Sequence, residues 1–330
     1  MKSLFRCVLK TICTIGLLFC IVLTAVAQHT VADYKRYFAV VKYENKTQLV
    51  LRKFKRDDVG SFLIVDPTEL TTKIIPAAGL SPKELSWPDA IRYFNGSPYV
   101  KTINDAAQLS GSLQDAGIIH GFPKEQGITL TIDLCPSHKP LDRIIFTALI
   151  TEFQRTEKPV PIAISISGRW MLTHSSDLKW LKGLVSSGDI VITWVNHSYN
   201  HRVSAKSPLK TNFLLEPGTD LNFEILGTEI AMVQQGLMPS VFFRFPGLVS
   251  DQQVVGQLLA YGIIPIGSDA WLAKGQAANS GSIVLIHGNG NEPVGVKDFI
   301  QLLKSKQADV KNKHWLLYDL SESIEDEFGQ

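Results

Sequence analysis

From about residue 127 onward, short apolar runs alternate with longer amphipathic stretches. The run 160–166 is apolar on both faces, which is typical of a buried strand. The seven runs that predict strands are 128–132, 160–166, 190–195, 241–245, 263–266, 283–286 and 315–318. Repeated βα units with roughly seven buried strands predict a parallel sheet and favour a barrel.

Helices are predicted between these runs from the 3.6-residue spacing of their apolar positions. The predicted spans are 141–153, Ser176 to Gly188 with Ser176 as the cap, 221–235, Ser250 to Gly262, and 296–303. At the start of the predicted helix Ser250 to Gly262, Ser250 with Gln253 resembles a capping box. Glycines after the second, third and fourth helices are typical of helix ends.

Residues 28–126 follow a different pattern. The segments 37–43 and 48–54 alternate like the strands of a hairpin, with Asn45-Lys46 as the turn signal between them. The proline- and glycine-containing segments that follow show no βα rhythm. We therefore predict an N-terminal α+β accessory region over 28–126, packed on a barrel domain over 127–330.

Residues 1–27 have the pattern of a secretory signal peptide. Lys2, Arg6 and Lys10 precede an apolar stretch, and Ala25-Val26-Ala27 follows as a small-residue cleavage site. An uncleaved anchor helix is the alternative, although the apolar stretch is short for a bilayer span. The lipoprotein interpretation of Cys20 is set aside because Phe19 fits poorly before a lipidated cysteine. We expect an exported protein, periplasmic or secreted, with no stable membrane span after cleavage.

Cleavage changes the charge and the cysteine count. The chain has 33 basic and 31 acidic residues, and residues 1–27 hold three of the basic ones and no acid, so the net charge falls from +2 to −1. This balance gives no reason to expect nucleic acid as a partner. Cys135 is then the one remaining cysteine, which excludes an internal disulfide. With 45% hydrophobic residues, the chain can bury an ordinary globular core.

Polar residues follow the predicted strands at the edge where parallel βα folds carry their chemistry. They are Asp133; His197 and His201, with Asn196 and Ser198; Arg244, followed by Pro246; Asp269 with Trp271; and His287. Taken singly, each has an ordinary interpretation: a strand cap for Asp133, a structural ion pair for Arg244, a core residue for His287. A His-x-x-x-His pair would place two imidazoles on one helical face, as a metal requires. The joint arrangement, in chain order and at strand ends, favours a catalytic site.

Five successive motifs of residues 127–318 resemble the polysaccharide deacetylase family, also called the NodB-homology or chitin-deacetylase-like family. They are TLTIDLCPS (129–137), VNHSYNHR (195–202), FRFPG (243–247), GSDAWL (267–272) and IVLIHG (283–288). The resemblance implies a distorted (β/α)7 barrel that removes acetyl groups from N-acetylated sugars with the help of a divalent metal, zinc being the expected ion. The implied substrate is an acetylated polysaccharide or oligosaccharide.

The resemblance also implies roles for individual residues. His197 and His201 would bind the metal, and Asp133 would be the general base. Arg244 would hold Asp133 ionised, and His287 would protonate the leaving amine. Asp269 would orient His287, while Trp271 and Pro246 would contact substrate.

The first motif departs from the family pattern. The family has a metal-binding carboxylate directly after the base, where this chain has Leu134. Three interpretations stay open. A substitute ligand, Cys135 or His138, completes the metal site; or Asp133 activates water with little or no metal; or the barrel is a catalytically degenerate glycan-binding protein. Amide hydrolysis on a non-sugar substrate is a further possibility. The sequence identifies neither the glycan nor whether the acetyl group is on nitrogen or oxygen.

Overall fold

The computed structural model describes residues 28–324, so the predicted signal peptide lies outside the described residues. Within this range the chain begins with an antiparallel sheet in the order β4-β3-β2-β1-β5. Its strands are β1 (Val31–Tyr43), β2 (Lys46–Arg56), β3 (Val59–Val65), β4 (Thr72–Pro76) and β5 (Lys83–Glu84). Two helices follow, α1 (Trp87–Tyr93) and α2 (Pro98–Gln108), capped by Ser86 and Ser97.

The predicted hairpin is confirmed as β1 and β2. The two strands pair antiparallel up to Tyr43 opposite Lys46, so the turn residues are Glu44 and Asn45. Both have positive φ angles, 50° and 62°, as the two central residues of a type I′ turn require.

The second sheet is parallel and confirms the predicted (β/α)7-type architecture. Seven strands follow one another in the order β10-β9-β8-β7-β6-β12-β11, and β13 pairs with the beginning of β6. The strands are β6 (Gly127–Leu134), β7 (Val160–Ile166), β8 (Ile190–Asn196), β9 (Pro239–Phe243), β10 (Ile264–Pro265), β11 (Ala270–Trp271), β12 (Ile283–His287) and β13 (Leu316–Leu317).

The connection between β10 and β11 forces this sheet to curl. These strands lie at opposite ends of the seven-strand path, and a flat sheet would separate them by about 29 Å. Only residues 266–269 join them, a span of about 18 Å at most. Residues 118–120 lie beside the place where the two ends of the sheet approach each other, because Ile118 forms a β-bridge with Ile266 and His120 forms one with Ser282.

Helices pack outside the curled sheet and correct several predicted bounds. They are α3 (Ile144–Phe153), α4 (Gly168–Thr173), α5 (Ser175–Ser186), α6 (Thr228–Gln234), α7 (Gln252–Leu259), α8 (Pro293–Lys311) and α9 (Leu320–Ile324). Among the residues described, no helix combines the length and apolar content needed to cross a bilayer.

The starts of α5 and α7 differ from the predicted ones, whereas the predicted helix 221–235 begins at Leu221 as expected and has an irregular turn inside it. The cap of α7 is Asp251, whose side chain accepts the Val254 N–H, and not Ser250. Helix α5 starts at Ser175 after His174, so Ser176 lies inside it. The predicted helix 221–235 contains a π-helical turn, Phe223–Gly227, before α6. For α5 and α7, neighbouring polar residues offered similar capping signals.

Strand β6 shows how the sheet divides its side chains between two faces. Ile128, Leu130, Ile132 and Leu134 lie in the same core cluster as the apolar side chains of α3 and α8. Thr129, Thr131 and Asp133 alternate with them and therefore face the inside of the curl. These three polar side chains form a line inside the curl, and Asp133 is the one at the carboxyl edge.

The N-terminal region is joined to the parallel sheet by a continuous core and by buried polar contacts. Phe38, Leu51 and Tyr99 share one apolar cluster with Val195 and Ile264. Arg52 of β2 forms a two-point ion pair with Glu229 of α6, and both side chains are almost fully buried. These contacts extend across the proposed boundary between the accessory region and the barrel, and the position of that boundary stays a prediction.

Candidate active site

Asp133 is the next-to-last residue of β6, at the carboxyl edge, where the β6–β12 register places it beside His287. Its side chain is 3% exposed. Its Oδ1 lies 3.8 Å from Nε of Arg244, and its Oδ2 lies 3.7 Å from Nε2 of His197. Burial opposes ionisation, but the charge of Arg244, followed by the charges of His197 and His287, lowers the pKa of Asp133 below its usual value. Asp133 is therefore a carboxylate held ionised inside the fold.

Arg244 comes directly after β9 and is fully buried. Its Nη2 donates to the Gly267 carbonyl at 3.0 Å, while Nε and Nη1 have no hydrogen-bond partner among the described residues. Its backbone carbonyl accepts a hydrogen bond from Nδ1 of His197 at 2.9 Å. Arg244 thus contributes a positive charge beside Asp133 and fixes the ring of His197.

His197 and His201 lie in a loop, so the prediction of a shared helical face is wrong. Residues 197–204 have no helical structure, and Ser198 and His201 have positive φ angles of 62° and 46°. The loop is held by Glu224, whose carboxylate accepts the backbone N–H groups of Tyr199 and Asn200 at 2.9 and 2.8 Å. This folded loop brings the two imidazole rings to a centroid distance of 4.6 Å.

A glycine lets the neighbouring helix support this loop. Gly168 begins α4, and a Cβ there would lie 2.2 Å from the ring of Tyr199. The N–H groups of Gly168 and Arg169 donate to the carbonyls of Ser198 and Tyr199. The α4 N-terminus therefore uses its free N–H groups to hold the histidine loop in place.

Cys135 completes a three-residue group that could hold a metal ion. The ligand atoms of Cys135, His197 and His201 all lie within 4.8 Å of one another. Sγ of Cys135 lies 3.5 Å from Nε2 of His197. A tetrahedral zinc ion separates a sulfur and a nitrogen ligand by about 3.6 Å. The existing positions therefore suit zinc with little rearrangement.

The protonation states of this group also suit a metal. His197 donates through Nδ1 to Arg244, and burial lowers its pKa, so Nε2 presents a lone pair. Nε2 of His201 has no partner among the described residues. Burial would raise the pKa of Cys135, but His201 and then His287 lower it to about 7. Thiolate and imidazole are ligands that zinc prefers.

The structure distinguishes between the two proposed substitute ligands. Cys135 is 6% exposed and lies in the three-residue group, whereas His138 is exposed on the surface and lies outside it. Leu134 faces the opposite side of β6 and packs in the core between the sheet and its helices. The candidate third ligand is therefore Cys135, two positions after the base.

His287 faces the same site from the end of β12, and its partner is a residue that the sequence did not indicate. Its Nδ1 lies 2.7 Å from Oε2 of Glu292, and its side chain is 13% exposed. The same Oε2 accepts the indole N–H of Trp271 at 2.9 Å. Burial opposes protonation, but Cys135 and Glu292 raise the pKa of His287 well above its usual value. His287 is thus a protonated imidazole held by a carboxylate.

The predicted contact between Asp269 and His287 is wrong. Asp269 precedes β11, and its Oδ1 accepts the N–H of Ile283, the first residue of β12. His287 is four residues further along that strand, which corresponds to about 13 Å. Asp269 instead lies 2.7 Å from Nδ1 of His120 and accepts a hydrogen bond from Ser282.

Pro246 and Trp271 occupy positions beside this group, and their contact with substrate stays a prediction. Pro246 is buried at the start of a short turn, Pro246–Leu248, directly after Arg244 and Phe245. Trp271 is 9% exposed, and its ring centroid lies 5.7 Å from that of His287.

Glu292 does not follow a strand directly, so the strand-end pattern in the sequence does not indicate it. Glu292 lies five residues beyond β12, directly before Pro293 at the start of α8. A glutamate directly before a proline is an ordinary pattern at the start of a helix. The contact between Glu292 and His287 is therefore visible only in the folded structure.

The fold and the site together define a (β/α)7-type protein with a candidate metal centre at its carboxyl edge. A family model described as the RP012 protein N-terminal domain matches residues 32–104, about a fifth of the chain. That segment contains the antiparallel sheet and α1 and lies before the residues of the candidate site.

Solved structures similar to the chain come from the family that its motifs resemble. A family 4 carbohydrate esterase from Bacillus anthracis is 18% identical over 69% of this chain and 92% of its own, with a TM-score of 0.46. A pseudoenzyme of the same family and organism is 15% identical over 63% and 69%, with a TM-score of 0.43. Peptidoglycan deacetylase PdaC from Bacillus subtilis is 15% identical over 61% and 90%, with a TM-score of 0.41.

Proposed function

We propose that this protein is an exported carbohydrate deacetylase that hydrolyses N-acetyl groups of a polysaccharide or oligosaccharide. The observation that carries the proposal is the convergence of Asp133, Arg244, His287 and the Cys135–His197–His201 group at one edge of the parallel sheet. A buried base, its positive partner and an acid on one edge suit hydrolysis of an acyl bond. Export is the expectation from the residue pattern of 1–27.

The chain's own residues can perform each proton transfer. Asp133 takes a proton from water, which then attacks the acetyl carbonyl carbon. His287 gives a proton to the sugar nitrogen as the C–N bond breaks, leaving acetate and an amine. Glu292 holds the His287 ring, and Arg244 keeps Asp133 ionised between turnovers.

Cys135, His197 and His201 would hold zinc. When bound, the ion would supply a Lewis acid that polarises the acetyl carbonyl and lowers the pKa of water. The three residues would fix where the ion binds. The ring of His197 is held by the Arg244 carbonyl, and the loop that carries His201 is held by Glu224.

Acetate release from N-acetylglucosamine oligomers, measured with and without zinc or cobalt, tests this proposal. We expect release by the wild-type chain and its loss in Asp133→Asn and His197→Ala. The surface variant His138→Ala is the matched control and should keep activity. No release from any N- or O-acetylated glycan, with either metal present, would refute a deacetylase function.

A catalytically degenerate glycan-binding protein is the second candidate, and Leu134 is the observation that favours it. Leu134 is fully buried in the core and offers nothing to a metal or a substrate. This candidate predicts glycan affinity without turnover, and that affinity should survive His287→Ala. Turnover that disappears in His287→Ala would exclude it.

A further inference from the structure

The segment 113–121 lies between the N-terminal helices and β6, and it contacts two loops at the carboxyl edge of the parallel sheet. Gln114 bridges Val249, and the N–H of Asp115 donates to the Leu248 carbonyl at 3.0 Å. Leu248 lies four positions after Arg244. A residue outside all five matched motifs is thus held beside the loop that carries the buried arginine.

Asp115 also lies against the second loop that contacts Arg244. A Cβ on Gly267 would lie 3.1 Å from Cα and from the carbonyl carbon of Asp115. The Gly267 carbonyl is the one that accepts the Arg244 Nη2 hydrogen bond. Asp115 and Arg244 are therefore neighbours on the two sides of a single glycine, where only a residue without a side chain fits.

Unpaired polar atoms of opposite charge remain on both residues. Among the described residues, Oδ1 of Asp115 is buried without a hydrogen-bond partner, and so are Nε and Nη1 of Arg244. Asp133 lies 3.8 Å from Nε, which is too far for a hydrogen bond. A fully buried guanidinium with a single hydrogen bond is costly unless carboxylates balance its charge.

The segment around Asp115 is held by main-chain hydrogen bonds in addition to the side chain of Asp115. The main chain is already fixed by the Asp115 N–H and by the Ser250 N–H, which donates to the Leu113 carbonyl at 3.1 Å. Burial raises the pKa of Asp115, and a hydrogen bond from the Ser268 backbone, followed by the positive charges of Lys274 and Arg244, opposes that rise. The carboxylate therefore lies within electrostatic range of Arg244, beyond direct ion-pair distance, and its Oδ1 is the atom left without a hydrogen bond.

We propose that Asp115 is a positioning residue of the deacetylase site: its carboxylate is a second counter-charge for Arg244 and holds the guanidinium against Asp133. Two carboxylates on one arginine keep its charge balanced when Asp133 becomes neutral by taking a proton from water. The assignment deepens the proposed function, and it makes the region before β6 part of the site.

Asp115→Asn is a clean substitution for testing this role. Asp115 has a φ angle of 60°, and asparagine is favoured in that left-handed region, so the backbone tolerates the change. Asp115→Glu keeps the charge. Asp105→Asn, an exposed carboxylate on α2, is the matched control.

The first measurement is steady-state acetate release. In Asp115→Asn we expect kcat to fall by about 10- to 100-fold, the usual cost of losing a residue that orients a site residue, with KM nearly unchanged. Asp115→Glu should recover part of kcat, and Asp105→Asn should match the wild type. An unchanged kcat in Asp115→Asn would overturn the proposal.

The second measurement needs no turnover and so separates this proposal from the proposed function. Urea midpoints are compared for Asp115→Asn in the wild-type and in the Arg244→Met background. We expect the change in midpoint caused by Asp115→Asn to be more negative in the first background than in the second, where the partner charge is gone. Equal changes in both backgrounds, or coupling to Lys274→Met instead, would overturn the assignment. If the wild-type chain releases no acetate but this coupling appears, the deacetylase proposal fails while the Asp115–Arg244 pairing stands.

Discussion

Two fully buried arginines of this protein differ in how completely they are paired. Nε and Nη2 of Arg52 donate to Glu229 at 2.7 and 2.8 Å, and its Nη1 donates to the Leu51 and Tyr261 carbonyls. Tyr34 adds a third hydrogen bond to Glu229. Arg244, equally buried, makes one side-chain hydrogen bond and lies 3.8 Å from its carboxylate.

This difference in pairing distinguishes the structural ion pair at Arg52 from the candidate active site at Arg244. A pair with its donors satisfied holds two regions in one arrangement and leaves nothing for a substrate. Arg244 and Asp133 keep unpaired atoms, Nε, Nη1 and Oδ1, at the carboxyl edge of the sheet. Buried polar groups without partners are uncommon and are found where function requires them.

The largest expected effect is on stability, at the completely paired arginine. Arg52→Met leaves Glu229 buried without its partner, so we expect the free energy of unfolding to fall by about 3–5 kcal/mol. Urea denaturation followed by circular dichroism measures this loss. Lys35→Ala, an exposed change on β1, should unfold like the wild type. A loss below 1 kcal/mol, roughly the scale of a surface pair, would contradict the structural role of Arg52.

The next effect is on metal binding at the incompletely paired edge. Cys135→Ala removes one of three ligands. Losing an outer-shell partner already weakens metal binding by about 10- to 100-fold, so we expect at least about a 100-fold weaker zinc affinity. Competition with a chromophoric chelator measures the dissociation constant. His138→Ala should bind zinc like the wild type, and equal losses in the two variants would exclude Cys135 as the third ligand.

A smaller stability effect is expected at Arg244. Arg244→Met removes a buried charge that makes a single hydrogen bond, and Asp133 can take up a proton in response, so we expect a loss below about 1.5 kcal/mol. Acetate release by this variant should nevertheless be lost, because the base is no longer held ionised. A stability loss as large as that of Arg52→Met would show that the two arginines are alike and remove the basis of the comparison.

Much of the fold was predictable because its signals are local. The seven buried runs, the hairpin of β1 and β2, and the glycines after helices each depend on neighbouring residues, and strand Val160–Ile166 has the predicted bounds. Helix starts were less predictable, because Ser250 and Asp251 are both good caps and only the folded chain shows that Asp251 is used.

The candidate site was predictable where side chains follow strands directly. Asp133, Arg244 and His287 come together as the strand-end rule predicts, because parallel strands bring their carboxyl ends to one edge. Asp269 fails this rule since it lies beside the start of β12, a consequence of strand register that no local pattern contains. Glu292 was missed because its contact depends on how a loop returns to the edge.

A third charged group is half-buried and has no oppositely charged partner within ion-pair distance among the described residues, so its effect should be the smallest and should depend on pH. Glu157 precedes β7 at the amino end of the sheet, and its Oε2 is buried without a hydrogen bond. Burial, opposed by a hydrogen bond from the Leu317 backbone and reinforced by the nearby Glu322, raises the pKa of Glu157 from its usual 4.5 to about 7. The folded state therefore binds a proton more tightly than the unfolded state does. The stability that this proton provides is complete below about pH 4.5 and is lost as the pH rises to about 7.

Glu157→Gln should remove this pH dependence. Glutamine stays neutral, so we expect the variant to be more stable than the wild type at pH 8 and nearly equal to it at pH 4.5. Urea midpoints at the two pH values measure the change, and Glu84→Gln, an exposed carboxylate on β5, should show no such difference. A Glu157→Gln chain that loses stability equally at both pH values would indicate that the carboxylate has a partner, as Glu229 has in Arg52. Glu157 would then not be the least completely paired of the three charged residues compared, Arg52, Arg244 and Glu157.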